Sequence, residues 1–242
     1  MANTTFANLK IKCLRQAGNN YNSTDSTKLS IAGGLINDVL SQIQAEIRES
    51  PYFYDLENSV NTTADQAYVD LVDTNIIEII SVYEIASSDS RLGQLSRREY
   101  NSIHTDTTRE SGVPDIGYSV SQLLTAGVNT YRIYLYPTPS SAQAIKYDYI
   151  KNIRFSVDGT GADAEYSPFP TTFDDLISAM FSPRFYGIIS PSDNARIQTA
   201  LAIEERAKRA YYDLLRTSVD KMHTIASRRG LTGAGFKVGD TF

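Results

Sequence analysis

Tyr131–Val157 reads Y-R-I-Y-L-Y-P-T-P-S-S-A-Q-A-I-K-Y-D-Y-I-K-N-I-R-F-S-V. Two alternating segments, rich in tyrosine and β-branched residues, flank Pro137-Thr138-Pro139-Ser140-Ser141. The pattern predicts two strands joined by a tight turn. The 16 tyrosines stand against no tryptophan. Tyrosine suits surfaces that are half buried and half wet, as interfaces are. Tyr131, Tyr134, Tyr136, Tyr147 and Tyr149 are therefore candidate contact residues.

Working outward, the whole middle of the chain reads as β. Tyr52–Val60, Ala67–Val72, Ile76–Ile85 and Tyr118–Val120 have strand composition and are separated by turn residues. Ile76–Val82 is apolar on both faces and is expected at the centre of a sheet. Leu95, Glu99 and Ile103 at i, i+4, i+8 predict a short helix over Leu95–Ile103. The polar run Thr105–Gly112 is a loop closed by Val113-Pro114. Asp158–Glu165 is a Gly/Asp loop ended by Ser167-Pro168-Phe169-Pro170.

Helices flank this middle. Phe6, Leu9, Cys13, Leu14 and Ala17 mark a helix over Phe6–Ala17. Asn22–Ser26 supplies N-cap candidates for a second helix reaching about Glu49 and stopped by Pro51. Its apolar stripe is Ala32, Leu35, Ile36, Val39, Leu40, Ile43 and Ile47. Gly33-Gly34 costs about 1 kcal/mol per glycine relative to alanine. That predicts a local kink or frayed first turn, with close approach of a neighbouring helix or subunit as the alternative.

Thr171 or Thr172 is expected to cap a helix over Phe173–Tyr186, with Asp174 and Asp175 in its first turn and Pro183 kinking or shortening it. Pro191-Ser192 precedes the longest helix, about Asp193–Arg229, roughly 50 Å long. Ile197, Leu201, Tyr211, Leu215, Met222 and Ile225 form its stripe, with Ile203, Ala207, Ala210 and Leu214 beside it. The glycine-punctuated end, Leu231–Phe242, cannot form a core. Leu231, Phe236, Val238 and Phe242 are apolar anchors on it, read as a docking arm that orders on a partner, with a disordered end as the alternative. The expected class is α+β. Residues 1–50 and 167–229 form a helical bundle, 51–166 a β domain with a short helix, and 230–242 an extended arm.

Composition narrows the function. The chain has 242 residues, one cysteine (Cys13) and net charge −5. That size carries a proper core, and one cysteine makes no disulfide framework. Cys13 reads as a small buried hydrophobe of the first helix. No apolar run reaches the roughly 20 residues that span a bilayer, and Met1–Phe6 lacks the pattern of a signal peptide.

Among the titratable groups, His104 and His223 have no second ligand at metal spacing. The 158–163 loop lacks the ligand spacing and closing Glu of a calcium site. No phosphate cradle or nucleophile elbow appears. Arg97-Arg98, Arg206-Lys208-Arg209 and Arg228-Arg229 are the basic spots. In the long helix they alternate with Glu204, Glu205 and Asp213, which reads as a solvated or salt-bridged face. Asp174-Asp175 and Glu204-Glu205 are adjacent on helices and splay apart, unlike a catalytic carboxylate pair. No catalytic residue, cofactor or metal is expected. A cell-wall hydrolase is the enzyme alternative, and a baseplate or tail-fibre module the binding alternative.

The order of elements, together with Val69–Asp73, Gly112-Val113-Pro114-Asp115, Tyr134–Pro139 and Tyr147–Ile150, resembles the head-to-tail adaptor (connector) proteins of tailed bacteriophages. The likeness is to the tail-tube-A type of short-tailed phages. It departs at Leu71-Val72-Asp73, where the family pattern has Leu-Pro-Asp. The resemblance implies a homo-oligomeric ring of about twelve copies at the virion neck. It implies the portal protein and a tail or nozzle protein as partners, double-stranded DNA passing without sequence-specific binding, and no membrane. The C-terminal arm would dock on the portal, and the tyrosines would serve ring or tail interfaces.

Overall fold

The structure, a computed structural model, describes residues 3–18, 25–47, 50–72, 75–84, 91–104, 112–125, 128–155 and 163–230, the last sixteen of these as backbone. The chain runs β1 (Asn3–Thr5), α1 (Phe6–Gln16), α2 (Ser26–Glu46), a single 3-10 turn (Pro51–Phe53), β2 (Tyr54–Asn61), β3 (Tyr68–Leu71), β4 (Ile76–Glu84) and β5 (Gly93–Gln94). It continues with α3 (Arg97–His104), β6 (Gly117–Thr125), β7 (Val128–Tyr136), β8 (Ala144–Lys151), β9 (Tyr166–Pro170), a 3-10 turn (Thr171–Phe173), α4 (Asp174–Ile189) and α5 (Asn194–Gly230). The class is α+β, with a β domain between terminal helices. Two compact units result: Met1–Phe53 with Ile153–Phe242, and Tyr54–Asn152.

The helical unit is tied together by its N-terminus. β1 pairs antiparallel with β9, Asn3 opposite Pro170 and Thr5 opposite Tyr166. The Ser167–Pro170 segment, expected only to end a loop, is thus a strand. Its pairing brings 163–166 in with the helices rather than with the β domain. Two prolines are tolerated because β9 is short and at an edge. The Thr5 hydroxyl caps α1 by accepting from Asn8 N–H, which replaces a bond the first helical turn cannot make itself. α1 buries Phe6, Leu9, Cys13 and Leu14, and Phe6 stacks on Phe155 at 3.9 Å.

Asp25 caps α2, whose buried line Ala32, Ile36, Val39, Leu40, Ile43 follows helical periodicity. Gly33-Gly34 lies in the helix interior, not in a frayed first turn. Asn37 clamps Phe155 in both directions, Nδ2 donating to its carbonyl at 3.2 Å and Oδ1 accepting its N–H at 2.8 Å.

α4 is apolar around nearly its whole circumference, as a central helix must be. Leu176, Ile177, Met180, Phe181 and Phe185 are all buried. No threonine caps it: Thr171 and Thr172 belong to the 3-10 turn, and Phe173 at the N-cap makes no side-chain bond. Asp174 and Asp175 sit in the first turn, where the helix dipole favours carboxylates. Pro183 does not shorten α4, which continues to Ile189. Packing on all sides outweighs the one backbone bond a proline removes.

The β unit contains two sheets, ordered β2-β8-β4 and β3-β7-β6-β5. Val69, Leu71, Ile133 and Leu135 of one meet Ile76, Ile79, Val82, Ile145 and Tyr149 of the other in a shared core. β7 and β8 do not form the hairpin expected from Tyr131–Val157. They lie in different sheets, and Pro137–Ser141 carries the chain between them. Prolines at 137 and 139 remove the N–H groups a tight hairpin would pair. Gly112 and Asp65 hold the crossing instead: Gly112 N–H donates to Thr138 O, Ser140 N–H to Gly112 O and Asp65 N–H to Pro139 O.

β4 is an edge, not a central strand; β8 is central. Register shifts between Ile76 and Glu78 and between Ile79 and Ser81 turn Ile76, Ile79 and Val82 inward and leave Ile77 at the surface. In α3 the buried residue is Tyr100 rather than Leu95 or Ile103. Ser96 and Glu99 form the reciprocal capping pair at its start.

Candidate functional site

The five tyrosines of β7 and β8 divide by strand alternation. Tyr131, Tyr136 and Tyr149 are buried within the β unit. The Tyr131 hydroxyl donates across the sandwich to Ile77 O, and the Tyr149 hydroxyl to Asp55. Tyr134 and Tyr147 remain half-buried; of the five, these two keep reach for another chain.

Tyr134 anchors a surface ladder that sequence reading did not assemble. The Arg97 guanidinium lies 3.6 Å over its ring, and Tyr68 and Tyr100 pack beside it. Arg132 stacks 3.8 Å over Tyr68 and grips Asp70 with two bonds of 2.6 and 2.7 Å. Cross-strand register makes this possible, Tyr68 opposite Tyr134 and Asp70 opposite Arg132. The Arg132 bond holds the Asp70 carboxyl below the usual carboxylate range. Such stacked guanidinium–tyrosine surfaces are rigid and amphipathic, the chemistry of protein contacts.

On the same unit, Asp148 of central strand β8 is buried and accepts from Glu57 N–H at 2.9 Å and from the Ser81 and Tyr83 hydroxyls at 2.7 Å each. Glu57 has φ 60° at the irregularity where β2 shifts register. This network fixes strand geometry on both sides of β8. Burial and the Asp148 carboxylate push the Tyr83 phenol up.

In the helical unit, α5 is seated through charge as well as apolar contact. Among its described side chains, Ala200, Glu204 and Tyr212 are buried. The expected stripe is displaced: Leu201 is 41% exposed, and Ile197 and Tyr211 are half-buried. Leu215, Met222 and Ile225 lie outside the described side chains. Glu204 pairs with Lys208 at 3.1 Å and Arg184 at 3.7 Å, and Lys208 also reaches Glu46 at 3.5 Å. Glu204 is thus salt-bridged but not solvated, while Glu205–Arg209 is a solvated surface pair. Burial and the Glu46 carboxylate push the Tyr212 phenol up.

Beside this network, α4 and α5 border an open groove of about 890 Å³. Ala179, Ser182 and Tyr186 line one wall and Ile203, Ala207 and Ala210 the other. Ile188 and Ile189 of α4 and Ile203 and Leu214 of α5 are exposed apolar residues on these two helices, and Ile203 of them lines the groove.

Among the described residues, groups suited to chemistry do not converge. Asp174 accepts from the Thr4 hydroxyl at 2.7 Å, and Lys12 bridges Asp174 and Asp175. Burial pulls the Lys12 ammonium down, but these two carboxylates outweigh it and the net shift is upward. Burial pushes the Cys13 thiol up to about 12, which leaves it inert. His104 ends α3, and the His223 side chain lies outside the described residues. Among the described residues no three or more His, Cys, Asp or Glu gather as metal ligands, and no helix is long and apolar enough to cross a membrane. The expected arm, Leu231, Phe236, Val238 and Phe242, lies outside the described residues.

The family model described as SU10 adaptor protein matches residues 4–233, from β1 through the end of α5. The chain belongs to the SU10 adaptor protein family. This is a family of structural phage head–tail adaptors, not of enzymes. Membership in the SU10 adaptor family makes the chain a virion component that binds other phage proteins. A comparison with curated proteins gives no match.

Proposed function

We propose that this adaptor forms a ring of about twelve copies between portal and tail and lines the DNA exit channel at the virion neck. The observation that carries the reading is the family match over nearly the whole chain. Exposed apolar surface on α4 and α5 supports it, because an isolated subunit gains nothing from such surface. Leu231, Phe236, Val238 and Phe242 serve as the portal-docking arm. Tyr134 and Tyr147 serve the contact with the neighbouring copy or the tail. Net charge −5 per copy sums to about −60 over about twelve copies. A negative lumen keeps phosphate contacts few, so DNA passes without being held.

Particles assembled without this protein test the role. The expected product is DNA-filled heads that retain portal and lack tails. Tailed, infectious particles of normal yield would overturn it.

A further inference from the structure

Two exposed faces of the helical unit carry the same spacing. On α5, Ile203, Ala207, Ala210 and Leu214 recur at i, i+4, i+7, i+11 and so share one side of the helix. Ile203 is 54% and Leu214 53% exposed, with the two alanines between them. On α2, Gly34, Asp38, Ser41 and Ala45 have the identical spacing. Asp38 and Ala45 are exposed, Gly34 and Ser41 half-buried, and exposed Thr27 and Ser30 extend the small-residue surface.

Among the described residues of its own chain, none accounts for Gly34. A glycine in a helix interior costs about 1 kcal/mol relative to alanine. A Cβ added there would meet nothing within 4 Å. The space beside it is open, and what needs a missing side chain at that point is a body arriving from outside.

Charge matches the shapes. Asp38 sits in the α2 face, and Arg206 borders the α5 face and the groove beside it. Neither has an ion-pair partner among the described residues. Aligning the two runs in parallel puts Ile203 over Gly34, Ala207 over Asp38, Ala210 over Ser41 and Leu214 over Ala45. Large side chains then fall on the smallest positions, and Arg206 falls beside Asp38.

We infer that α5 of one copy packs along α2 of a second copy in this register, with Arg206 paired to Asp38. The inference rests on the ring reading and names its subunit contact. The two faces are different, so each copy offers one and receives the other. Such a head-to-tail contact adds further copies until rotation closes it, whereas a self-complementary face stops at a dimer.

The test uses the full-length chain mixed with portal, read by mass photometry. Arg206→Asp or Asp38→Arg alone is expected to weaken ring formation about tenfold, and the two together to restore it to within about threefold. Both positions are at the surface, so the variants' thermal unfolding should match the wild type. Independently, Ser41→Cys with Ala210→Cys in one chain should give a ladder of disulfide-linked multimers under mild oxidation. Buried Cys13 gives no such background. A double charge reversal no better than the singles overturns the pairing, as do rings of that double-cysteine chain without the ladder. In either case the ring reading stands. A wild-type chain that never forms rings on portal overturns both.

Discussion

Asp148→Ala is the sharpest probe of how the β unit holds its shape. The carboxylate is buried on the central strand and accepts three bonds: one from the backbone at Glu57, two from hydroxyls across β4. After truncation, Ser81 and Tyr83 keep the 3.1 Å bond between them. The Glu57 N–H loses its acceptor, at a cost of about 1–3 kcal/mol, and bonds to a charged acceptor are worth about 1.5–3 kcal/mol each. The relief of desolvating a buried charge offsets part of this. A net loss of about 3 kcal/mol results. In a unit of about 100 residues (Tyr54–Asn152) that is a fall of roughly 12–24 °C in the β-unit transition by scanning calorimetry. Asp148→Asn, which retains one acceptor oxygen, should lose about 1 kcal/mol. Tyr83→Phe should show a coupling of at least about 0.5 kcal/mol with Asp148→Ala in a double-mutant cycle. An Asp148→Ala chain melting within about 3 °C of the wild type, a loss well under 1 kcal/mol, would refute the reasoning.

Further expectations bear on single contacts. Asn37→Ala removes both bonds to the Phe155 backbone and should cost about 2 kcal/mol by denaturant midpoint; a loss below about 0.5 kcal/mol contradicts the clamp. Asp70 has its folded pKa lowered by Arg132, so its contribution is present above the unfolded value of about 3.9 and vanishes as pH falls through the folded value. With both side chains part-exposed, the wild type should exceed Asp70→Asn by under about 1 kcal/mol at pH 6 and converge with it in acid; a gap that widens in acid contradicts the assignment. Cys13, buried with its thiol pushed up to about 12, should resist a thiol reagent at pH 8 until the chain unfolds, then release one equivalent; rapid reaction of the native protein contradicts its burial.

The legible parts of the sequence were those governed by local pattern. Helical periodicity locates α1, α2 and α5, alternation locates β7 and β8, and strand composition locates β3 and β4, because each follows from what an element buries. Pairing between distant segments was not legible. The prolines between Tyr136 and Ser140 look the same whether the chain reverses within a sheet or crosses to another. β9 was missed because its partner, Asn3–Thr5, lies over 160 residues away in sequence.

The surfaces followed the same rule. Tyrosine content pointed to contact, but alternation sent Tyr131 and Tyr149 into the core. Arg97 was read as a basic spot because its stacking on Tyr134 depends on where α3 lands. Of the two readings for Glu204, a solvated or a salt-bridged face, the i,i+4 spacing to Lys208 favours the second, but its burial is not legible because Arg184 arrives from α4. Ile203, Ala207, Ala210 and Leu214 were recognisable as a helical line, but only the packed unit shows that line facing outward.

The central claim is that this chain completes itself by assembling on a portal. Cryo-electron microscopy of the purified protein added to portal tests it most directly. The account predicts a closed ring of copies stacked coaxially on the portal, with the helical units in contact from copy to copy. Portal particles bearing no added ring, beside a chain that remains monomeric at saturating concentration, would contradict it.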